Sequence, residues 1–306
     1  MIEFLARAIV LPVSQAIAFV VLFISPLLLV GVWLHRERKR EKAALLEPFT
    51  DLPRRPPGES LRKKIDELVE KFDSDLVAFI LTGAVSAGIV TGSPAGTKLV
   101  VGCSLLVVNA VAALIIAPRL KRTIRIVRDY RLGYKGERVV GEELNRLMAD
   151  GLAVYHDVPF KGFNIDHVIV GNAGIFAVET KTRSKRSDAH WDEKATARFD
   201  GQSITFNNYT ETESVRQARL NAKHLAKWLS KATGEPTAVG AILVTPGWYV
   251  TDAPAIDNLM VRNPSRVRPF LIAMPETLSP PQLKRIRHQL DQLCGWTEEQ
   301  QTQAPS

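Results

Sequence analysis

The sequence predicts an α/β protein in which a mixed sheet flanked by helices follows an all-α transmembrane region. Two long apolar runs predict the membrane part: Ala8 to Leu34 carries no formal charge, and Leu76 to Pro118 carries only Lys98. From Lys135 onwards, helical periodicity alternates with short apolar strands, which is typical of a folded α/β domain. Two cysteines in 306 residues exclude a disulfide framework.

The apolar runs are long enough for helices that cross a bilayer, which needs about 20 residues. We predict a first transmembrane helix within residues 1–34 and a transmembrane helical hairpin over 76–118, with its turn at 93–98. A cleaved signal peptide is the alternative for the first run, but its apolar region would span only about 7 to 15 residues. A buried soluble helix pair is the alternative for the hairpin.

The basic residues predict the orientation of these helices. Residues 35–64 contain 10 Lys and Arg, whereas the 93–98 turn contains one. Because positive charge stays on the cytoplasmic side, the N-terminus should lie outside and the α/β domain in the cytoplasm, at the cell (inner) membrane. The net charge of +8 does not by itself indicate nucleic-acid binding, since residues 131–306 hold 22 basic and 20 acidic residues.

The remaining boundaries follow from composition. Residues 35–75 should form a cytoplasmic basic, Pro-rich linker with a short amphipathic helix at Leu61–Phe72. Residues 119–130 should form a basic juxtamembrane segment, residues 131–296 the α/β domain, and residues 297–306 a disordered tail.

Within the α/β domain, the predicted elements alternate along the chain. They are a helix at Gly136–Asp150, a strand at Leu152–Val158, two hairpin strands at Asn164–Val170 and Gly174–Thr182, a helix at Ser214–Ser230, strands at Val239–Thr245 and Phe270–Met274, and a helix at Pro281–Leu293. The Gly171–Gly174 segment should make the tight turn between the hairpin strands.

Three charged residues on this hairpin are candidates for chemistry. Asp166 lies near the start of the first strand, and Glu179 and Lys181 lie near the end of the second. In an antiparallel hairpin these ends are adjacent, and residues two apart share a face of the sheet. Two neighbouring carboxylates repel each other, and a divalent cation would remove that cost. Oxygen ligands indicate Mg²⁺ or Mn²⁺, bound by Asp166 and Glu179.

The same residues carry a family resemblance. Gly133-Tyr-Lys-Gly-Glu137, Asn164-Ile-Asp-His-Val-Ile-Val-Gly171 and Gly174-Ile-Phe-Ala-Val-Glu-Thr-Lys-Thr182 resemble the nuclease-related domain, NERD, over roughly residues 131 to 250. NERD is a branch of the PD-(D/E)xK restriction-endonuclease-like superfamily, which implies that fold here. The Pro-Asp form of the first motif is absent, because Ile165 precedes Asp166.

The resemblance implies roles for five residues. Asp166 and Glu179 would bind the metal, and Lys181 would be catalytic, with Glu137 and Gln217 completing the site. Glu137 could instead be a first-turn acid that complements the helix dipole, and Gln217 could be an ordinary exposed helical residue.

The leading hypothesis is therefore a membrane-anchored, divalent-metal-dependent nuclease that hydrolyses phosphodiester bonds on the cytoplasmic side. Its partners would be nucleic acid, with DNA as the expected form, and the lipid bilayer. The alternative is a catalytically inactive module of the same fold that binds nucleic acid or a protein partner at the membrane. A membrane signalling or scaffold protein is a third hypothesis.

Overall fold

A computed structural model describes Arg36 and residues 55–185, 196–207, 209–250 and 255–295. The predicted first transmembrane helix (1–34) and the predicted tail (297–306) lie outside these residues. The chain divides into two compact units. Among the described residues, one unit contains 66–127, and the other contains 55–65 together with 128–295.

Residues 66–127 of the first unit form a helical hairpin from parts of two long helices. Helix α1 (Glu59–Gly92) and helix α2 (Lys98–Asn145) are joined by a short turn. Asn109 of α2 donates a hydrogen bond to Ser86 Oγ of α1 at 2.8 Å. Both helices are long and apolar enough to cross a membrane, and almost none of their most apolar stretches is buried.

The structure corrects the predicted helix boundaries. The amphipathic helix expected at 61–72 and the first arm of the hairpin form one continuous helix, α1. The second arm, the basic segment 119–130 and most of the helix expected at 136–150 form α2, which ends in a 3-10 turn at Arg146–Asp150. Acidic and basic residues mark where an apolar run ends, but they do not break a helix.

The second unit is built on a five-stranded mixed sheet. Its strands are β1 (Ala153–Phe160), β2 (Phe163–Gly171), β3 (Gly174–Thr180), β7 (Gly240–Val244) and β9 (Leu259–Arg262), in that spatial order. The first three strands pair antiparallel, and β3, β7 and β9 run parallel. A smaller sheet contains β4 (Thr196–Phe199), β5 (Ile204–Phe206), β6 (Tyr209–Glu211) and β8 (Tyr249–Val250).

Helices cover both faces of the larger sheet. Helices α3 (Glu213–Thr233) and α5 (Pro280–Cys294) bury their apolar residues on one face, in the core cluster that includes Leu225 and Leu290. The C-terminal part of α2 and helix α4 (Pro264–Ile272) cover the other face, where Leu144 and Leu271 are buried. The predicted architecture, helices followed by a mixed sheet flanked by helices, is confirmed.

The strand predicted at Phe270–Met274 is wrong. Most of that segment belongs to the end of α4, and the edge strand of the sheet is β9. Helix α4 begins where Asn263 caps it, with its side chain accepting from the Ser265 backbone N–H, and Pro264 occupies the first turn. Both are helix-start signals that the apolar pattern of the later residues obscured.

Gly136 allows α2 to lie against the end of β3. A Cβ atom at this position would lie 1.7 Å from Thr182 Oγ1 and 2.9 Å from Thr182 Cβ. A side chain fits there only if Thr182 or the helix shifts. Close packing at Gly136 therefore fixes where the next residue, Glu137, stands relative to the sheet.

We expect Gly136→Ala to destabilise the second unit. Alanine is the better helix former by about 1 kcal/mol, but the overlap with Thr182 should outweigh this gain by about 1–3 kcal/mol. Thermal unfolding followed by tryptophan fluorescence measures the change. Adding Thr182→Gly should restore much of the loss, because it removes the clashing atoms. Purely additive effects of the two substitutions would contradict this reading.

Candidate active site at the end of strand β3

The candidate site lies where β3 separates from β2. Their antiparallel pairing ends with His167 opposite Val178. Beyond this point the Thr180 N–H donates to Asp166 Oδ2 at 2.7 Å, and the Lys181 N–H donates to the Val244 carbonyl of β7 at 2.8 Å. The Asp166 side chain thus accepts from the Thr180 N–H, which no longer pairs with the backbone of β2. The separating strands leave room for polar side chains between them.

Glu179 enters the site from the face that α3 covers. Its side chain is buried, at 7% exposed. Asn221 of α3 donates from Nδ2 to Glu179 Oε2 at 2.9 Å. The neutral amide fixes the direction of the Glu179 carboxyl group without forming an ion pair with it.

Glu137 enters from the opposite face, on α2. It is 7% exposed, and no hydrogen bond or ion pair to it occurs in the described part of the chain. Gly136 places it beside the end of β3. The charge of Asp166 acts on both Glu137 and Glu179. The structure therefore brings Glu137, Asp166 and Glu179 together, although the sequence separates them by up to 42 positions.

All three carboxyl groups are harder to ionise than usual. Burial, followed by the charges of Asp166 and Asp157, raises the pKa of Glu137 to about 9. Burial raises the pKa of Asp166 to about 7, although the Thr180 N–H works against this shift. Burial and the charge of Asp166 raise the pKa of Glu179 well above its ordinary value. At neutral pH, ionising all three carboxyl groups together would therefore cost free energy.

Lys181 is half-buried just beyond β3. Its Nζ lies 3.7 Å from Glu211 Oε1, and Arg183 forms a second ion pair with the same carboxylate. Burial, followed by the charge of Arg183, lowers the pKa of Lys181. Glu211 is a buried residue that sequence analysis missed, because its strand, β6, belongs to the smaller sheet and its contact with Lys181 is not local.

The structure does not bring Gln217 into the cluster. Gln217 lies on α3 but is exposed, and no hydrogen bond joins it to the carboxylates in the described residues. Asn221, one helical turn later, makes the contact with Glu179 instead. A polar residue between Ala218 and Ala222 on a buried helix face is the signal that could have identified Asn221.

A fourth carboxylate, Asp157, borders the cluster and was also missed. It is 1% exposed and has a positive φ of 48°. Its oxygens accept hydrogen bonds from Arg55 Nη1 at 3.2 Å, from the Ser60 N–H at 3.1 Å and from Asn164 Nδ2 at 3.1 Å. Asp157 thus attaches the start of α1 to the α/β unit.

Two buried histidines connect α2 to the site. His156 Nδ1 and His167 Nδ1 lie 2.8 Å apart, and His156 Nε2 lies 2.8 Å from Asn145 Oδ1. His167 Nε2 lies 3.1 Å from Thr180 Oγ1. Since burial lowers the pKa of both histidines, the pair is neutral at neutral pH. This network holds Thr180, whose N–H positions Asp166.

Asp166 and Glu179 offer carboxylate oxygens, the ligand type that hard divalent cations prefer. One oxygen of Asp166 and one of Glu179 accept from neutral N–H groups, and the other oxygens accept no hydrogen bond in the described part of the chain. Among the described residues, no group of three or more His, Cys, Asp or Glu side chains is arranged so that it could hold a metal ion. Two carboxylates with water and phosphate oxygens filling the remaining positions are a typical Mg²⁺ arrangement.

Residues 132–246 match the family model NERD, nuclease-related domain. The matched region contains Glu137, Asp166, Glu179, Lys181 and Asn221. No match was found among curated proteins or among solved structures.

We expect the metal-free second unit to lose stability as pH rises. The folded pKa values of Glu137 and Asp166, about 9 and about 7, exceed the unfolded values of about 4. The folded state therefore binds these protons more tightly than the unfolded chain does. The stabilisation that they give is complete below about pH 4 and is lost progressively as the pH rises to about 9. Thermal unfolding in a chelator should show a falling melting temperature between about pH 5 and 9.

A divalent cation should reverse much of this loss, because it binds the folded carboxylates and not the unfolded chain. Millimolar Mg²⁺ or Mn²⁺ should raise the melting temperature most at pH 8 to 9. The Asp166→Ala/Glu179→Ala double variant should lose that response. A full wild-type response in the double variant would place the metal site elsewhere.

Proposed function

We propose that the NERD unit is a divalent-metal-dependent nuclease that hydrolyses phosphodiester bonds of nucleic acid. The observation that supports it best is the convergence of three carboxyl groups and one half-buried ammonium at the end of β3. Like charges held together away from water are costly as a structural device, and they are common where a cation and a charged substrate bind.

Each side chain has a role in this proposal. Asp166 and Glu179 would hold the cation, with their orientation fixed by the Thr180 N–H and Asn221. A bound Mg²⁺ or Mn²⁺ supplies a Lewis acid that polarises a phosphate oxygen and lowers the pKa of a water. Lys181 would stabilise the negative charge that develops on the phosphoryl group. Glu137 in its protonated form would donate a hydrogen bond to a phosphate oxygen.

The alternative is an inactive NERD module that binds nucleic acid or a protein partner. The pairing of Lys181 with buried Glu211 favours it, because a lysine held by a carboxylate is less able to act on a phosphate. At 3.7 Å this contact is long for a charge-assisted hydrogen bond. A substrate phosphate could therefore compete for the ammonium, and we favour the enzyme.

We expect Lys181→Met to lower cleavage by about 100-fold or more while binding of nucleic acid persists. Methionine keeps much of the length and removes the charge. Asp166→Asn and Glu179→Gln should also lower cleavage, and excess Mn²⁺ should restore part of it. The measurements are cleavage and retention of labelled DNA and RNA by the full-length protein in detergent.

Lys284→Met is the matched control, since Lys284 is exposed on α5, and it should leave cleavage unchanged. Wild-type protein that retains nucleic acid but cleaves none with any divalent metal would favour the inactive module. Cleavage that survives Lys181→Met would remove the role given to this lysine.

We further propose that α1 and α2 anchor the protein in the cell membrane, with the NERD unit in the cytoplasm. Both helices expose large apolar side chains, among them Leu76, Ile80, Leu99, Leu106 and Leu114. An exposed apolar surface of this size needs lipid or protein to cover it. The basic residues that follow Pro118 favour the cytoplasmic side for the second unit.

Reporter fusions test this topology. A fusion in the 93–98 turn should give an external signal, and fusions after Pro118 or at Ser306 should give cytoplasmic signals. The physical reason for this expected topology is the charge asymmetry, because the 93–98 turn holds one basic residue. An external signal at Ser306 would contradict the orientation.

A further inference from the structure

A cavity of about 580 Å³ lies between the β1–β2 turn and the second half of α3. This volume falls within the range of about 300–1,000 Å³ that small-molecule sites occupy. Three aromatic rings, one imidazole and three ammonium groups line it, and no acidic side chain does. The lining residues used below are Phe160, Lys161, Phe163, Trp228, Lys227 and Lys231.

The aromatic rings are held in fixed positions. Phe160 and Phe163 are stacked, with centroids 5.2 Å apart and planes within 10°. Trp228 meets Phe160 edge-on at 6.0 Å. All three pack partly against the core of the unit, so their remaining surface faces the cavity. Fixed rings with an open face are what the stacking of a planar base needs.

The lysines supply positive charge around these rings. Lys161, Lys227 and Lys231 are all exposed, and no ion pair or hydrogen bond involves them in the described part of the chain. Many other exposed basic residues do have carboxylate partners, such as Arg268 with Asp150 and Arg285 with Glu235. Unpaired lysines around an apolar cavity match a ligand that is planar and anionic.

The cavity adjoins the carboxylate cluster along two elements. On β2, Phe163 precedes Asp166 by three residues, which corresponds to about 10 Å of strand. On α3, Trp228 follows Asn221 by seven residues, or about 10 Å of helix. A few nucleotides of an extended strand would connect the two places.

We propose that this cavity binds an unpaired base of single-stranded nucleic acid and its flanking phosphates, beside the cleavage site. The proposal rests on the proposed function for its substrate class. A single strand fits better than a duplex, because the paired bases of a duplex are stacked on each other and cannot enter an aromatic cavity. The near-neutral net charge of residues 131–306 also fits a local cationic site better than a broad duplex-binding face.

The test is binding of a labelled 12-nucleotide single strand and of the matching duplex to the full-length protein, by fluorescence anisotropy in a chelator. Trp228→Ala should weaken single-strand binding about tenfold and leave duplex binding unchanged. Lys161→Gln/Lys231→Gln should weaken it to a similar degree and reduce its salt dependence, because two phosphate contacts are lost. Tyr249→Ala and Lys284→Gln, at exposed positions outside the cavity, are the matched controls.

Thermal unfolding shows first whether each variant is folded. If Trp228→Ala does not fold, the Lys161→Gln/Lys231→Gln variant alone tests the proposal. Unchanged single-strand affinity in the folded lysine variant would overturn the proposal, as would equal losses for strand and duplex. The proposal would also be overturned if a mononucleotide displaced the labelled strand when present at the same concentration as the strand. Cavity-dependent binding without cleavage would support this site while contradicting the nuclease function, so the two failures are distinguishable.

Discussion

The repulsion among Glu137, Asp166 and Glu179 is the constraint on which the site depends. The three carboxyl groups come from α2, β2 and β3 and meet where β2 and β3 separate. Burial raises all three pKa values, and the charge of Asp166 adds to the shifts of Glu137 and Glu179. A fold that keeps such groups together must supply protons or a cation, because burial and like charge both disfavour their ionised forms.

The surrounding structure makes this arrangement possible by fixing backbone and side chains with neutral groups. The Thr180 N–H and the Asn221 amide each hold one carboxylate. The buried His156–His167 pair holds Thr180 from the α2 side. Because these partners carry no charge, they orient the two carboxyl groups without forming an ion pair with them.

The sequence predicted much of this site because its main parts are local. The β2–β3 hairpin follows from two apolar runs and a short turn, and its geometry brings Asp166 beside Glu179. The structure confirms that hairpin, although only Gly174 of its turn has a positive φ angle. Close packing of Gly136 on Thr182 explains the second glycine of the Gly-x-x-Gly-Glu run.

The features that the sequence did not predict are non-local. Arg55 and Asp157 are 102 residues apart, and the Pro-rich composition around Arg55 indicated a linker instead of part of the α/β unit. Asn221 was not predicted, because helical periodicity alone does not show which polar residue faces a strand end. Likewise, the aromatic cavity joins the β1–β2 turn to a helix more than 60 residues away, and no pattern within either segment indicates it.

Isothermal titration calorimetry of Mn²⁺ into the full-length protein tests the central claim most directly. Titrations at pH 7 in buffers of different ionisation enthalpy count the protons released on binding. Since the metal-free carboxyls retain protons at this pH, binding should release about one proton or more per ion. The Asp166→Ala/Glu179→Ala variant should show neither binding nor release. Binding without proton release, or an unchanged isotherm in the variant, would contradict a cation held by this carboxylate cluster.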